Sequence, residues 1–305
     1  MYSHKSGKSW STSTGLVTYP FNSSDLTEIS DNKSKAYAWV SKLGISEPET
    51  VIVASDEDVD PEIVQRLLDR HGRLIVKPDA SFGSRGVSVN LTTYEEVLNA
   101  VVVARRIKQK HGDILIQQHI DGSEFRFTVL NGEVVSVMLR ETARVIGDGL
   151  STIAELIERE DKERIVINRT SMVRYPAVHE IIQNPEYISS TQVLPKSEVL
   201  ILSSSAMVSG GTSVYEIKDK IHETYKQLAI KLAQGLSSRF VVVDLFIKNS
   251  NVPAELDNVY FNEFNRSPAL KMLYASRNKS NVDIANAIAI AIDQYLDEPT
   301  ASILT

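Results

Sequence analysis

Two acidic residues lie in segments that are otherwise almost entirely apolar, and this pattern limits the possible folds more than any other feature. Asp244 lies within Phe240–Ile247, and Glu263 and Asn265 lie at the end of Val259–Asn265. Both segments have the length and composition of buried β-strands. A carboxylate in such a strand needs a compensating partner, because burying an unpaired charge is costly. The sequence therefore predicts a charged site built on two core strands.

Two kinds of partner would compensate these acids, and the spacing alone leaves both open. The first is a divalent cation, since two carboxylates and a carboxamide without clustered histidines are ligands typical of Mg²⁺ or Mn²⁺. On this interpretation the metal ligands are Asp244, Glu263 and Asn265. The second is a buried salt bridge to an arginine such as Arg266.

Composition excludes several other kinds of site. The chain has 305 residues and no cysteine, which removes disulfides, thiolate nucleophiles and cysteine-based metal sites. Its six histidines show no metal-ligand spacing, and no Gly-x-Ser-x-Gly motif is present, so zinc or serine hydrolase chemistry is not expected. A formal net charge of -6 gives no electrostatic footprint for nucleic acid. No apolar run is long enough to span a membrane or to serve as a signal peptide, so we expect no membrane association and a cytoplasmic protein.

The pattern along the chain predicts an alternation of helices and strands after a loose start. Residues 1–30 lack any regular period and are expected to form a flexible lead-in. A β-β-α-β unit is predicted over 73–118, preceded by helices at 33–43 and 61–71. Asn131 and Gly132 separate two alternating segments and predict a hairpin. Further helices are predicted at 152–160, 218–236 and 282–296, and 161–197 is mixed and polar.

Two loops of small residues could hold an anion. Loop 79–86 follows a lysine, Lys77, at the end of an apolar strand, and its glycines, hydroxyls and backbone N–H groups suit a phosphate. The second loop is Ser209-Gly-Gly-Thr212. Both are equally compatible with simple flexible turns. Arg126, Arg140 and Arg144 form a possible cationic set near the predicted hairpin, although exposed salt bridges are the commoner use of such arginines.

Taken in chain order, the motifs resemble the ATP-grasp superfamily over residues 31–297. Within it the chain is most similar to the glutathione synthetase half of bifunctional γ-glutamylcysteine ligase/glutathione synthetases and to the ATP-grasp part of cyanophycin synthetase. The motifs are Asn32-Lys33, Leu74-Ile-Val-Lys77-Pro78, loop 79–86, Gln117-Gln-His-Ile-Asp-Gly-Ser-Glu124-Phe-Arg126, Val145-Ile-Gly-Asp-Gly149, Ser209-Gly-Gly-Thr212, Val243-Asp244-Leu245 and Asn262-Glu263-Phe-Asn265. Relatives commonly have Asp at position 32 and Glu at position 117, and they place another domain before this one.

The resemblance implies an α+β fold in which two lobes grip ATP, here without a full N-terminal domain. The lid lobe would span 31–120 and the C-terminal catalytic lobe 121–305. Asp244, Glu263 and Asn265 would bind Mg²⁺ or Mn²⁺. The groups implied to contact ATP are Lys33, Lys77, Ser81, Gly83, Ser84, Gly86, Gln117, Gln118, Ile120 and Glu124. Those implied to face the acyl phosphate or the substrates are Arg126, Arg140, Arg144, Ser209, Gly210, Gly211 and Thr212.

The implied activity is that of an ATP-dependent carboxylate–amine ligase, which forms an amide through an acyl phosphate and releases ADP and phosphate. Amino acids or a small peptide are the expected substrates. Two alternatives stay open: an ATP-binding module without turnover, and a ligase that adds amino acids to a protein or ribosomal peptide tail. A homo-oligomer, and a partner domain or subunit that completes the substrate site, are also expected.

Overall fold

The computed structural model describes residues 2–3, 9–10, 12–13, 16–17, 19, 21–81, 83–107, 112–169, 174–203, 207–268, 270–278 and 283–298. Its strands are β1 (Tyr2–Ser3), β2 (Ser9–Trp10), β3 (Thr12–Ser13), β4 (Leu16–Val17), β5 (Thr50–Val53), β6 (Leu74–Pro78), β7 (Ser88–Leu91), β8 (Ile114–Gln118), β9 (Ser123–Leu130), β10 (Glu133–Glu141), β11 (Arg144–Ile146), β12 (Val199–Ile201), β13 (Ser213–Glu216), β14 (Phe240–Ile247) and β15 (Val259–Asn265). Its α-helices are α1 (Ser24–Asp31), α2 (Lys33–Ser41), α3 (Pro61–His71), α4 (Tyr94–Arg105), α5 (Ile153–Asn168), α6 (Val178–Ile181), α7 (Glu223–Gly235) and α8 (Ile284–Asp297). Short 3₁₀ helices lie at Pro185–Ser189, Val208–Gly210 and Leu270–Ala275.

The first sheet has four antiparallel strands in the order β5-β8-β6-β7. Helices α3 and α4 cover one face, and their apolar stripes pack against Val76, Ile114 and Ile116. The predicted N-terminus of α4 is confirmed, since Thr93 and Glu96 form a capping box. Lys77 has the opposite parity to Val76 and therefore lies on the other face of the sheet.

The second sheet has five antiparallel strands in the order β13-β10-β9-β14-β15. The predicted hairpin β9–β10 is present, and Asn131 and Gly132 adopt positive φ angles of 50° and 79° at its turn. Helix α7 packs on one face, where it contacts Phe127, Val129 and Val243. The opposite face carries the alternate residues of each strand, and these include the acids of β14 and β15.

The end of the expected lead-in differs from the prediction. Tyr19, Phe21 and Leu26 are buried in the core, and residues 24–31 form α1, whose N-cap Ser23 accepts a hydrogen bond from the Leu26 N–H. This helix is one of the shortest in the chain and places only a few apolar side chains in the core, which is why its period is hard to see in the sequence. The side chain of Asn22 bonds both the N–H and the carbonyl of Phe240, at 3.0 and 2.7 Å.

A smaller unit is inserted between β10 and β13. It consists of the ribbon β11–β12, helices α5 and α6, and a shared core that includes Val145, Leu156 and Leu202. Helix α5 continues to Asn168, eight residues beyond the predicted end at 160. Its second half escaped prediction because a buried arginine, Arg164, replaces an apolar residue on the inward face. Among the described residues, no helix is long and apolar enough to cross a membrane.

Candidate active site

An arginine on the neighbouring strand compensates the buried Asp244. The strand registers place Asp244 opposite Arg126 of β9 on one side and Glu263 of β15 on the other. The Arg126 guanidinium donates to both oxygens of Asp244, from Nε at 2.8 Å and from Nη2 at 2.6 Å, which is a strong two-point geometry. The proposed alternative partner Arg266 is wrong. Arg266 comes directly after β15, and the alternation of side chains along the strand places it on the opposite face from Glu263. It pairs with Asp31 at 3.2 Å.

The amide nitrogen of Asn265 lies where the two carboxylates converge. It donates to Asp244 Oδ2 at 2.9 Å and to Glu263 Oε1 at 3.1 Å. A half-turn of the amide exchanges Nδ2 for Oδ1, and three side-chain oxygens then face one point. This donor set fits Mg²⁺ or Mn²⁺, which take their other ligands from phosphate and water. In the described part of the chain, no group of three or more His, Cys, Asp or Glu side chains could hold a metal.

The two acids differ in their electrostatic environment. Burial raises the pKa of Asp244, and the Arg126 guanidinium acts in the opposite direction. Burial also acts to raise the pKa of Glu263, but Lys33 and Arg126 outweigh it and lower that pKa to about 2. Glu263 is therefore ionised at neutral pH and supplies negative charge for a cation.

Lys77 approaches the acids from the first sheet. Its buried ammonium donates to Tyr37 Oη at 2.8 Å and lies 3.4 Å from Asn262 Oδ1. Burial lowers the pKa of Lys77 to about 8, although the nearby Glu263 acts to raise it. The sequence interpretation did not assign a role to Tyr37, or to Asn262, which it named only as part of a motif. Each has a weak signal, since Tyr37 lies one helical turn after Lys33 on α2 and Asn262 directly precedes Glu263.

Lys33 joins α2 to the loop that follows β6. Its ammonium donates to the carbonyl oxygens of Asp79 at 3.2 Å and of Ser81 at 2.9 Å. Burial lowers the pKa of Lys33, and Glu263 acts to raise it. The Asp79 carboxylate in turn accepts hydrogen bonds from the backbone N–H and the hydroxyl of Ser34, at 2.8 and 2.7 Å. These contacts hold the start of loop 79–86 against the N-terminus of α2.

Residues 83–86 of the same loop form a tight turn. Ser84, Gly83 and Gly86 have positive φ angles of 54°, 66° and 74°. Ser81 Oγ lies 3.4 Å from the Arg85 carbonyl oxygen. A Cβ added at Gly83 would lie 3.9 Å from the sulfur of Met207, which directly precedes the Val208–Gly210 turn. Gly83 of the first small-residue loop therefore lies beside Met207, two residues before the second.

The end of β8 and the segment after it carry the predicted adenine contacts. Gln117 is fully buried, and its amide donates to Thr50 Oγ1 at 2.7 Å while its Oε1 has no hydrogen-bond partner in the described protein. The N–H of Gln118 donates to the Glu49 carbonyl at 2.9 Å, so this N–H is already engaged. Ile120 is buried two residues further on, and its carbonyl accepts from the Gly122 N–H at 3.0 Å.

The remaining predicted residues separate into two groups. Arg140 lies on the same face as Arg126, and it donates to Glu124 Oε1 at 2.6 Å across the hairpin. Arg144 instead pairs with Glu141 in the same short segment. Residues Ser209 to Thr212 lead into β13, whose register puts Val214 opposite Arg140.

A buried network that the sequence did not reveal holds this second loop. Arg164 of α5 donates to the Gly211 carbonyl at 2.9 Å, and Glu160 accepts from both Arg164 and Arg277. Charged residues inside a helix normally lie on its solvated face, so no sequence signal distinguished Glu160 and Arg164, and Arg277 lies in a turn without a regular pattern.

Comparison with known proteins supports the same fold. Residues 30–178 match the model of the RimK-like ATP-grasp domain. The chain is 29% identical over 204 residues to the glutathione biosynthesis bifunctional protein GshAB of Clostridium perfringens. The aligned region covers 65% of this chain and 26% of that protein. It is 28% identical over 211 residues to cyanophycin synthetase of Synechocystis, covering 65% and 23%. The chain thus spans about a quarter of the length of these relatives.

A solved structure of the bifunctional glutathione synthetase from Pasteurella multocida superposes with a TM-score of 0.59 at 21% identity, covering 90% of this chain and 38% of that one. The chain therefore has the fold of the ATP-grasp proteins, as its motifs predict, and its residues 30–178 are similar to the RimK-like ATP-grasp domain. Proteins of this class use ATP with Mg²⁺ or Mn²⁺. The acids, amide and lysines described above have the chemistry to bind both.

Proposed function

We propose that this protein is an ATP-dependent carboxylate–amine ligase that releases ADP and phosphate. One observation carries the proposal: two lysines from the first sheet and α2 converge with the acids of the second sheet. The pKa of Glu263 is lowered by Lys33, and the Lys77 ammonium lies 3.4 Å from Asn262, the residue next to Glu263. Ammonium groups beside oxygen ligands for a divalent cation form a site suited to a nucleoside triphosphate. The likeness to ADP-forming ligases supports the same conclusion.

ATP would lie between the two sheets, in lobes that we place at residues 31–120 and 121–305. Lys33, Lys77 and loop 79–86, with Ser81, Gly83, Ser84 and Gly86, would contact the phosphates. Gln117, Gln118 and Ile120 would contact adenine. The unpartnered Oε1 of Gln117 suits the exocyclic amino group. The N–H of Gln118 is bonded to the Glu49 carbonyl, so a contact of this residue with adenine would have to use its carbonyl. Glu124 would accept the ribose hydroxyls, held in place by Arg140.

The proposed reaction has two balanced steps. A substrate carboxylate oxygen attacks the γ-phosphorus, the bond to the β,γ-bridging oxygen breaks, and an acyl phosphate and ADP form. An amine then attacks the acyl carbon, phosphate leaves and the amine loses a proton, so that the amide, ADP and phosphate are the products. Neither step needs a protein nucleophile, which agrees with a chain that has no cysteine.

The protein's part in this reaction is to position the reactants and neutralise their charge. Asp244, Glu263 and Asn265 would hold Mg²⁺ or Mn²⁺, which when bound offsets the charge of the β- and γ-phosphates. Arg126 fixes Asp244 for this purpose at 2.6 Å. Arg140, Arg144 and the Ser209–Thr212 loop, with Gly210 and Gly211, would face the acyl phosphate and the substrates.

The substrates we propose are amino acids or a small peptide, as in glutathione synthesis. This inference comes from the likeness to GshAB and cyanophycin synthetase, whose names concern glutathione and cyanophycin. We further propose a cytoplasmic homo-oligomer whose substrate site is completed by another domain or subunit. Analytical ultracentrifugation alone and with candidate partners would test the assembly.

Phosphate release from ATP and Mg²⁺ is the direct test of the ligase. The twenty amino acids, and γ-glutamylcysteine with glycine, would be offered singly and in pairs, with mass spectrometry of the products. We expect release that depends on a pair, and a product lighter by one water than its two reactants. ATP binding without any pair-dependent release would contradict turnover on these substrates and favour the non-catalytic module or a protein acceptor.

A matched pair of lysine variants would connect any activity to this site. Lys77→Met should abolish turnover, because the buried ammonium contacts the proposed phosphate position. Lys162→Met removes a lysine that is 70% exposed on α5, and it should leave turnover unchanged. Equal effects of the two substitutions would argue against the proposed location.

A further inference from the structure

Two arginines and one glutamate form a buried ionic triad outside the proposed nucleotide site, and one of these arginines, Arg277, also donates to the exposed Glu163 at 2.7 Å. Arg164 and Glu160 lie one turn apart on α5, and Arg277 lies after the Leu270–Ala275 turn. Glu160 Oε1 accepts from Arg164 Nε and from Arg277 Nη1, each at 2.7 Å. Both arginine side chains are almost completely buried, at 1% and 7% exposure.

The triad contacts the Ser209–Thr212 loop at Gly211 and at Ser213, the residue that follows it. Arg164 Nη2 donates to the Gly211 carbonyl at 2.9 Å, and its Nη1 donates to the Pro176 carbonyl at 3.1 Å. Arg277 Nη1 donates to Ser213 Oγ at 2.9 Å. The loop is therefore fixed to α5 and to the segment after residue 275, rather than only to its own strand.

Gly211 occupies a position in this loop that a larger residue would strain. Its φ angle is +100°, and a Cβ added there would lie 2.1 Å from Ile181 Cδ1 and 3.1 Å from Ala143 Cβ. The carbonyl that Arg164 binds thus belongs to a residue whose backbone and surroundings are both tightly defined. Ser203 Oγ donates to the neighbouring Gly210 carbonyl at 3.1 Å.

Stability alone does not account for such a triad. Replacing a buried ion pair or triad with apolar residues of similar volume is often neutral or stabilising, because desolvation offsets the attraction between the charges. Directional donors at fixed positions, by contrast, hold a backbone carbonyl in a way that an apolar side chain does not. The triad is better suited to positioning the loop than to stabilising the fold.

We propose that Arg164, Glu160 and Arg277 are positioning residues that hold the Ser209–Thr212 loop in the geometry needed to bind the carboxylate and amine substrates. This inference rests on the proposed function, which assigns the loop to the substrates. It goes further because it states that three residues outside the ATP site determine how tightly the substrates bind. The triad should affect substrate binding while nucleotide binding stays unchanged.

Arg164→Lys tests this with charge retained, since a lysine reaches Glu160 or Gly211 but not Pro176 as well. With the acid and amine found by the phosphate-release screen, we expect kcat/KM for these two substrates to fall by about 100-fold, the loss that a small misplacement can cause. The KM for ATP and the affinity for MgADP should be unchanged. Arg159→Lys alters an exposed arginine of the same helix and should change none of these values.

The apolar variant Glu160→Met with Arg164→Met and Arg277→Met separates positioning from folding. We expect it to stay folded, with a urea midpoint lowered only by the loss of the hydrogen bonds to the Gly211 and Pro176 carbonyls, and to lose substrate affinity as Arg164→Lys does. Parental affinity for both substrates in either variant would overturn the proposal. A fall in ATP and substrate affinity together would also overturn it, because it would indicate general damage.

Hydrogen exchange gives a readout that does not need turnover. With MgADP bound, peptides covering 207–214 should exchange faster in Arg164→Lys than in the parent, while peptides from β8 keep their rate. Unchanged exchange at 207–214 would refute the positioning role. If the parent itself catalyses no pair-dependent release, the proposed function fails separately, and the exchange experiment still decides whether the triad orders the loop.

Discussion

Asp244→Asn should destabilise the protein in the absence of metal and nucleotide. The sequence alone predicts a loss of turnover with the fold unaffected, but the pairing with Arg126 adds a cost. Asp244 is completely buried, and the substitution removes the charge that compensates the Arg126 guanidinium. The remaining acid, Glu263, lies 3.9 Å from Arg126 Nη2. Breaking a buried pair from one side typically costs about 3–5 kcal/mol, and we expect a loss in this range.

Glu263→Gln is the matched control on the neighbouring strand. Its side chain is 29% exposed and its contact with Arg126 is longer than a hydrogen bond, but its charge also faces the buried Lys33. We therefore expect a loss of about 1–2 kcal/mol, larger than for a surface ion pair and smaller than for Asp244→Asn. The free energy of unfolding of both variants would be measured by urea titration with a chelator present, followed by tryptophan fluorescence. Both substitutions should abolish turnover, because each removes a proposed metal ligand.

A double substitution identifies the cause of the loss. Arg126→Met combined with Asp244→Asn removes the uncompensated guanidinium, so most of the stability lost in Asp244→Asn should return. Two outcomes would refute the reasoning. One is an Asp244→Asn loss no larger than that of Glu263→Gln. The other is a double variant as unstable as the sum of its two single substitutions.

Three further substitutions probe other parts of the structure. Gly211→Ala should lower the free energy of unfolding by about 2–4 kcal/mol, because of the side-chain clash and the positive φ angle. Gly44→Ala has nothing within 4 Å of the added Cβ and should lower it by about 1–2 kcal/mol. Similar urea midpoints for the two variants would contradict this. Glu124→Gln should weaken ATP binding by about tenfold or more in calorimetry, because a charged acceptor is replaced by a neutral one. Asn22→Ala should cost about 2 kcal/mol, since it leaves the backbone of Phe240 without two hydrogen bonds; no change in stability would indicate that the contact is dispensable.

The strands and the hairpin could be predicted because their signals are local. Alternation and apolar runs determine the bounds of β6, β14 and β15 to within a residue, and Asn131 with Gly132 determines the hairpin. The nature of the charged site was equally visible, since an acid such as Asp244 in a core strand demands a partner. The partner itself was not visible. Arg126 lies 118 residues away in the chain, and only the register of β9 and β14 brings the two together.

The elements that sequence patterns missed owe their positions to tertiary contacts. Helix α1 has few buried apolar residues, and the second half of α5 turns a charged residue, Arg164, toward the core. Binary patterning treats such a residue as exposed. Its burial is energetically possible only because Glu160 and the Gly211 carbonyl accept its hydrogen bonds and Arg277 shares Glu160 with it. No local pattern specifies residues so far apart in the chain.

The charge balance at the site leads to a last prediction, that ATP binding takes up protons near pH 8. Burial lowers the pKa of Lys77 from 10.5 to about 8, so a substantial fraction of this side chain is neutral in the free protein near that pH. A bound triphosphate restores the charged form, because an opposite charge nearby favours ionisation. By linkage, ATP affinity should then fall by up to about tenfold per pH unit above the free-state pKa.

Calorimetry in buffers of different ionisation enthalpy would measure this proton uptake, which we expect to reach about half a proton per ATP at pH 8. Lys77→Arg is the control, since a guanidinium stays protonated throughout this range, and its uptake should be close to zero. Equal uptake in the two proteins would assign the protons to another group. No uptake in the parent would mean that Lys77 is already fully charged before ATP binds. The nearby acids alone would then offset the effect of burial on the pKa of Lys77.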